Sequence, residues 1–295
     1  MRAEIRNIVA KTLKDIGADG RIDDLIASPY HPWLLTYVEY EDGGTGCGSC
    51  SAVFRGMEYG SGGMIGEIKA LDLLGRDARG VIGELMEMDG TLYNAMALST
   101  LSALSYRFMN REHLEREGFN VVERPISEGL FGREIGRSGG RLISKEDVVA
   151  VVGFAYWTFP YLISQVKELR CLELLDAELF QTLSLKGREP RVRVYNDPGC
   201  LEDADVVFIT GMTLPNETLP EVLKHCRNAR VRVLYGPSCS FYPSRLLRLV
   251  DGVYAIKIPV EEEVKLHIMD SRCVYQYSCP KTRIVEVWNE EAALS

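Results

Sequence analysis

"DVVFITGMTLPNETLPE" (205–221) is the stretch on which the fold turns. An aspartate leads an apolar, β-branched run, which enters a loop of small polar residues. Leu219, Val222, Leu223 and Cys226 then recur at helical spacing. A short run that is apolar on both faces, followed by an amphipathic helix, is the βα unit of a parallel sheet. The turn between them carries three threonines and an asparagine, more than one helix cap requires. Thr218-x-x-Glu221 reads as a capping box, and Pro220 fits a first helical turn. That leaves Thr210, Gly211, Thr213 and Asn216. They sit where the strand ends and the helix dipole begins, so they either meet an anionic or polar ligand group there or satisfy their own turn.

The rhythm repeats around this unit. "DVVAVVGFAY" (147–156), "CLELL" (171–175), "VRVLYG" (231–236), "GVYAIKI" (252–258) and "TRIVEVW" (282–288) read as strands, and "YLISQVKEL" (161–169) has helical spacing. Strands alternating with helices predict a Rossmann-like, doubly wound parallel sheet, with its ligand site at the carboxyl ends of the strands. Gly236, Pro237 and Ser238 follow the strand expected beside Thr210. Together the two loops would line one pocket facing the N-terminal half. Gly153 ends the first strand and leads into an aromatic loop, "FAYWTFPY", with no glycine fingerprint for a dinucleotide. Trp157, Phe159 and Tyr161 fit a core or an interface as well as a ligand. Glu173 and Asp176 close the second strand, where nucleotide-binding sheets hold a ribose. Asp203 and Asp205 read as strand leaders.

Upstream, Ile5, Ile8, Val9 and Leu13 share one face of a helix over residues 3–16. "WLLTYVEY" (33–40) and "SAVFRG" (51–56) read as a hairpin whose tip is the glycine-rich "EDGGTGCGSC" (41–50). Helical patterns follow over 65–74, 78–86 and 91–109, the last rich in small residues that suit close packing. We therefore expect an N-terminal α+β domain over 1–120, a linker or arm over 121–146, and a Rossmann-like domain over 147–295. The chain has 295 residues and a net charge of −8, so no nucleic-acid partner is expected. No apolar run reaches the ~18 residues of a membrane span. With no signal-peptide pattern at the start, the expectation is a cytoplasmic protein, and its eight cysteines are reduced thiols or metal ligands.

Cys47 and Cys50 form a C-x-x-C in the predicted tip. Three readings stay open: half of a zinc or iron site, a redox pair, or plain thiols. Cys239 is a candidate third ligand, with Cys200, Cys273 and Cys279 as others, and a homodimer would supply a second pair. Cys171 and Cys226 fit apolar faces. The four histidines show no metal-ligand spacing.

Four stretches resemble a known family: "VVAVVGFAYWTFPYL" (148–162), "LEDADVVFITGMTLPNETL" (201–219), "VRVLYGPSCSFYP" (231–243) and "LYNAMALSTLSAL" (92–104). The family is the "putative heavy-metal chelation" family. The Thr-Gly-x-x-x-x-Asn-x-Thr loop (Thr210, Gly211, Asn216, Thr218) and Gly236-Pro237-Ser238 carry the likeness. The resemblance implies an enolase-like N-terminal domain, a Rossmann-like C-terminal domain akin to methyltransferase sheets, and a role with metals, chelators or a pterin-like molecule. Two segments depart from the pattern: 177–194 is long, and the tail after 261 lacks a glycine-rich ending. The expected function is binding of a small molecule or metal chelate in a strand-end cleft. The alternatives are an enzyme acting on a nucleotide- or pterin-like ligand, and a thiolate metal-delivery protein. No nucleophile–base pair is spelled out.

Overall fold

A computed structural model describes residues 2–28, 31–52, 63–130, 136–137 and 140–289. The N-terminal half opens with α1 (Arg2–Ile16) and a three-stranded antiparallel meander, β1 (Gly20–Ser28), β2 (His31–Tyr40) and β3 (Thr45–Ser51). Helices α2 (Gly63–Ala70), α3 (Ala78–Glu87), α4 (Thr91–Ser105) and α5 (Arg111–Arg116) follow. This is the expected α+β arrangement.

The second half is an eight-stranded sheet. Its strands are β4 (Asn120–Pro125), β7 (Val148–Val152), β8 (Glu168–Leu172), β9 (Val192–Tyr195), β10 (Val206–Thr210), β11 (Val231–Tyr235), β12 (Gly252–Lys257) and β13 (Arg283–Trp288). The two-residue strands β5 (Gly136–Arg137) and β6 (Gly140–Arg141) pair separately. The order is β4-β13-β12-β11-β10-β7-β8-β9. β9 through β12 run parallel as 3-2-1-4-5-6, the Rossmann order, with the strand order reversing between β7 and β10. β13 and β4 extend the sheet antiparallel at one edge.

The buried parallel strands separate two apolar clusters by their period of two. Val207 and Ile209 join the cluster that holds α4, and Val206 and Phe208 join the other. The crossover helices α6 (Phe159–Leu162) and α7 (Leu219–His225) are short, and α8 (Glu262–Asp270) connects β12 to its antiparallel neighbour β13. The helical spacing read over 161–169 is thus overridden: the helix stops at Leu162 and β8 begins at Glu168, because Leu169 and Cys171 are buried in the sheet. Asp205 leads its strand as expected, accepting the Val148 amide at 2.8 Å. No helix among the described residues is long and apolar enough to cross a membrane.

Within the stretch read as an arm, β4 is an edge strand of the large sheet. Arg124 fixes it there, donating to the Glu286 carboxylate and to the carbonyls of Gly129 and Leu130. Both charged side chains are nearly buried. Burial pushes the Glu286 carboxyl up from its ordinary value, and Arg124 opposes the shift.

The glycine-rich tip is corrected. The turn closes by Gly44, and residues 45–51 are strand β3, paired with β2 from Glu39↔Thr45 to Trp33↔Ser51. Its glycines serve helix α4. A Cβ on Gly46 would meet the Ala103 carbonyl oxygen at 2.1 Å, and one on Gly48 the Ser99 carbonyl oxygen at 2.0 Å. The helix backbone therefore lies directly on the strand, joined by a Thr36–Ser99 hydroxyl bond of 2.6 Å and by Tyr40 donating to Ala103 at 2.7 Å. We expect Gly48→Ala to cost about 3 kcal/mol by overpacking. Gly83 lies in α3 with open space at its Cβ, and Gly83→Ala should gain about 0.5–1 kcal/mol from helix propensity. Paired urea melts of the two variants check both signs.

Candidate functional site

A cleft of about 440 Å³ opens at the carboxyl ends of the parallel strands, where the strand order reverses. Nine residues singled out from the sequence line it: Gly153, Glu173, Thr210, Gly211, Thr213, Asn216, Gly236, Pro237 and Ser238. The reason is topological. β7, β8, β10 and β11 are parallel, so their C-terminal loops share one edge.

The backbone of the cleft leaves no room for alternatives at two glycines. Gly153 has φ +89°, and a Cβ there would sit 3.0 Å from Thr210 Cγ2. A Cβ on Gly211 would press within 2.9 Å of the Cys239 amide nitrogen, because the loops after β10 and β11 touch backbone to backbone.

The loop's polar groups divide differently from the capping-box reading. Thr218 is the N-cap of α7, but its side chain makes no cap hydrogen bond, and Glu221 turns to Lys224 at 2.6 Å. Cap φ/ψ of −95° and −11° is helical rather than extended, which aims the hydroxyl away from the N3 amide. Thr213 is the structural residue instead: its hydroxyl donates to the Thr210 carbonyl at 2.8 Å. Thr210 in turn accepts from the Met212 amide. Asn216 Oδ1 is buried with no hydrogen-bond partner among the described residues. Thr218 and Glu221 line the cleft together with it.

Glu173 is held by backbone. Its Oε2 accepts the Phe154 amide at 2.8 Å, and its Oε1 accepts the Leu174 amide at 2.7 Å. Asp176 does not line the cleft; it caps the turn at 177–180. Ser238 accepts the Ser51 amide at 3.0 Å, and Ser240 accepts the Ile256 amide at 2.7 Å. Both hydroxyls are thereby committed to structure.

Several lining residues were not read from the sequence. Asn196, at the end of β9, donates to the carbonyls of Glu173 (2.9 Å) and Leu175 (2.5 Å) and shapes the loop after β8. Its position after the run "VRVY" was the available signal. Trp33 and Tyr277 pack edge to face at 5.2 Å. They come from β2 and from the segment before β13, which no local pattern links to the cleft. Asn94 on α4 donates to the Pro215 carbonyl at 3.0 Å and to Glu217 at 3.2 Å. It thus reaches into the loop from the N-terminal half.

The thiols lie elsewhere than expected. Cys47 and Cys50 are buried strand residues (4% and 0% exposed), not residues of an exposed tip. An odd separation in a strand puts them on opposite faces, and they belong to different apolar clusters. Cys239 is buried beside Gly236 and donates to its carbonyl at 3.1 Å. Among the described residues, no three His, Cys, Asp or Glu side chains come together as a metal site. The described side chains therefore do not fit a resident zinc or iron.

Residues 140–269 match the family model described as "Putative heavy-metal chelation", so the chain's C-terminal half carries this family's signature. A solved protein of unknown function from Pyrococcus horikoshii, of the same family, superposes with a TM-score of 0.63 at 14% identity, covering 96% of this chain and 98% of that one. A family member from Desulfitobacterium hafniense gives 0.63 at 18% identity, with 95% and 97% covered. At this identity the likeness shows the fold, and it runs the length of the chain. An uncharacterized protein from Methanocaldococcus jannaschii is 26% identical over 136 residues, which is 43% of this chain and 51% of that protein.

Two predictions follow from this geometry. Thr218→Ala should leave the melting temperature nearly unchanged, whereas Thr213→Val should cost about 1 kcal/mol through the lost hydrogen bond. Thermal melts read both, and a large loss at Thr218 would restore the cap. The second prediction concerns the thiols. Burial pushes Cys47 and Cys50 from 9.0 up to about 12. Their thiol form is thus favoured by folding, and that stability is complete below pH 9 and drains as pH rises from 9 toward 12, at up to about 1.4 kcal/mol per thiol per pH unit. Denaturant titrations between pH 8 and 11 should show the decline, and Cys47→Ala should remove one thiol's share of the slope while Cys50 keeps its own.

Proposed function

We propose that the protein binds a small organic molecule, or a metal carried as a complete chelate, in the cleft at the β7–β10 switch. The observation that carries this reading is Asn216. A buried amide oxygen without a partner costs about 1–3 kcal/mol, and this one belongs to a side chain lining a large, mostly apolar cavity. The oxygen itself is sealed from solvent, so a ligand repays the cost when the Asn216 side chain turns toward the cleft.

The family description adds heavy metals. Since the described side chains assemble no ligand set, the supported form of metal handling is one in which the bound molecule supplies the donor atoms. An enzyme working on a nucleotide- or pterin-like ligand is the second reading. Glu173 favours it, standing at the end of the second parallel strand where a ribose would lie. Against it, both carboxylate oxygens already receive backbone amides, and Ser238 and Ser240 are engaged.

Native mass spectrometry and elemental analysis of protein purified without oxygen test the proposal. We expect a co-purifying organic ligand, with any metal present only alongside it. Asn216→Ala should weaken binding about tenfold through the lost hydrogen bond, and should raise rather than lower the melting temperature of the ligand-free protein. Stoichiometric metal without an organic ligand, or full occupancy in Asn216→Ala, would reject it.

A further inference from the structure

We infer that the cleft selects a flat aromatic ligand that is neutral or cationic and enters without a phosphate or carboxylate. This inference rests on the binding reading above and names its ligand class.

Charge is the first argument. Among the described residues, the wall of the cleft holds two carboxylates, Glu173 and Glu221, and no lysine, arginine or histidine. The side chain of Glu221 is paired outward with Lys224 at 2.6 Å. Glu173 is met by backbone amides alone. An anion entering such a space gives up hydration and gains no cation in return.

The second argument is the missing phosphate cradle. In dinucleotide-binding sheets the first strand enters a glycine-rich turn and then a long helix, whose free amides face the pyrophosphate. Here the strand enters Gly153-Phe154-Ala155-Tyr156-Trp157. The Phe154 amide is taken by Glu173, and α6 is only four residues long.

Rings take the place of the cradle. Tyr156 and Trp157 line the cleft while remaining 63% and 48% exposed. They stand edge to face at 5.1 Å, and Phe154 lies 4.3 Å from Phe180. Exposed ring faces of this kind stack on flat molecules and attract cations. A turn of the Asn216 side chain toward the cleft would offer its unpartnered oxygen to the N–H of a heteroaromatic amine or amide.

The test uses two flat dyes of opposite charge, proflavine (cation) and 1-anilinonaphthalene-8-sulfonate (anion), and a second pair, adenosine and adenosine 5′-monophosphate. Fluorescence titration and equilibrium dialysis should show proflavine favoured over the sulfonate, and adenosine over its monophosphate, each by about tenfold or more. Thr218→Lys places an ammonium on the wall, at a hydroxyl that makes no cap bond, and should shrink each margin about tenfold. Equal affinity within either pair, or tighter binding of the anion, overturns the inference; so does failure of every probe to bind at millimolar concentration. Trp157→Ala and Asn216→Ala locate the binding. If neither weakens it, the probes sit elsewhere, and the cleft reading falls and takes this inference with it. If both weaken it but charge has no effect, only the ligand class is lost. The wild-type comparisons need no variant to fold.

Discussion

Two hydrogen bonds from the N-terminal half hold the loops on which the cleft depends. The Ser51 amide donates to Ser238 at 3.0 Å, and the Asn94 amide group donates to the Pro215 carbonyl at 3.0 Å. One fixes the loop after β11, and the other fixes the loop after β10. These loops also touch each other at Gly211 and Cys239. Neither donor could be in place without the close seat of α4 on β3. That seat requires Gly46 and Gly48, because the strand's end and the helix's first turn approach the C-terminal sheet together. Glycines in the meander thereby set the geometry of a pocket built largely from the other half of the chain. A loop held in this way can keep Glu217 at φ +58°, a conformation unfavourable for a residue with a side chain. The contact from Asn94 to Glu217 helps to offset that cost.

What was legible in the sequence follows from the range of the forces involved. The parallel strands are runs apolar on both faces, and burial on both faces is a property each run states by itself. Once the strands are parallel, their trailing loops must share an edge, so the cleft residues Gly153, Thr210, Asn216 and Gly236 could be read without coordinates. Misreadings occurred where a residue answers to a distant partner. "TGCGSC" looks like a loop because glycine is rare in strands, yet here it is selected by a helix some fifty residues later. Thr218 and Glu221 have cap spacing, but the backbone ahead of the helix is helical, so the hydroxyl has no amide to meet. Trp33, Asn94 and Tyr277 reach the cleft through tertiary packing alone, and no local pattern announces that.

The placement of the thiols shows how a motif and its chemistry can part. A C-x-x-C in a turn brings two sulfurs together, whereas in a strand it separates them by the width of the sheet. Cys47 then faces Tyr37 and the α8 side of the core, and Cys50 faces the helices. Burial keeps both protonated, so neither is a ready thiolate. The spacing survives as packing: a small, polarizable side chain suits a strand pressed under a helix backbone.

The same logic explains the chemistry of the cleft. A Rossmann sheet concentrates ligand contacts at the switch point whatever the ligand is, because strand direction alone sets that edge. Which ligand is held depends on what the loops present there. In this chain the first loop spends its leading amide on Glu173 and offers rings where a phosphate site would offer glycines. Ordering that loop through Glu173 also places a carboxylate on the cleft wall at the end of the second strand. The fold thus supplies the location of the cleft; on the binding reading proposed above, a wall with carboxylates and no basic side chain among its described residues disfavours anions, and stacking on the exposed rings would carry recognition.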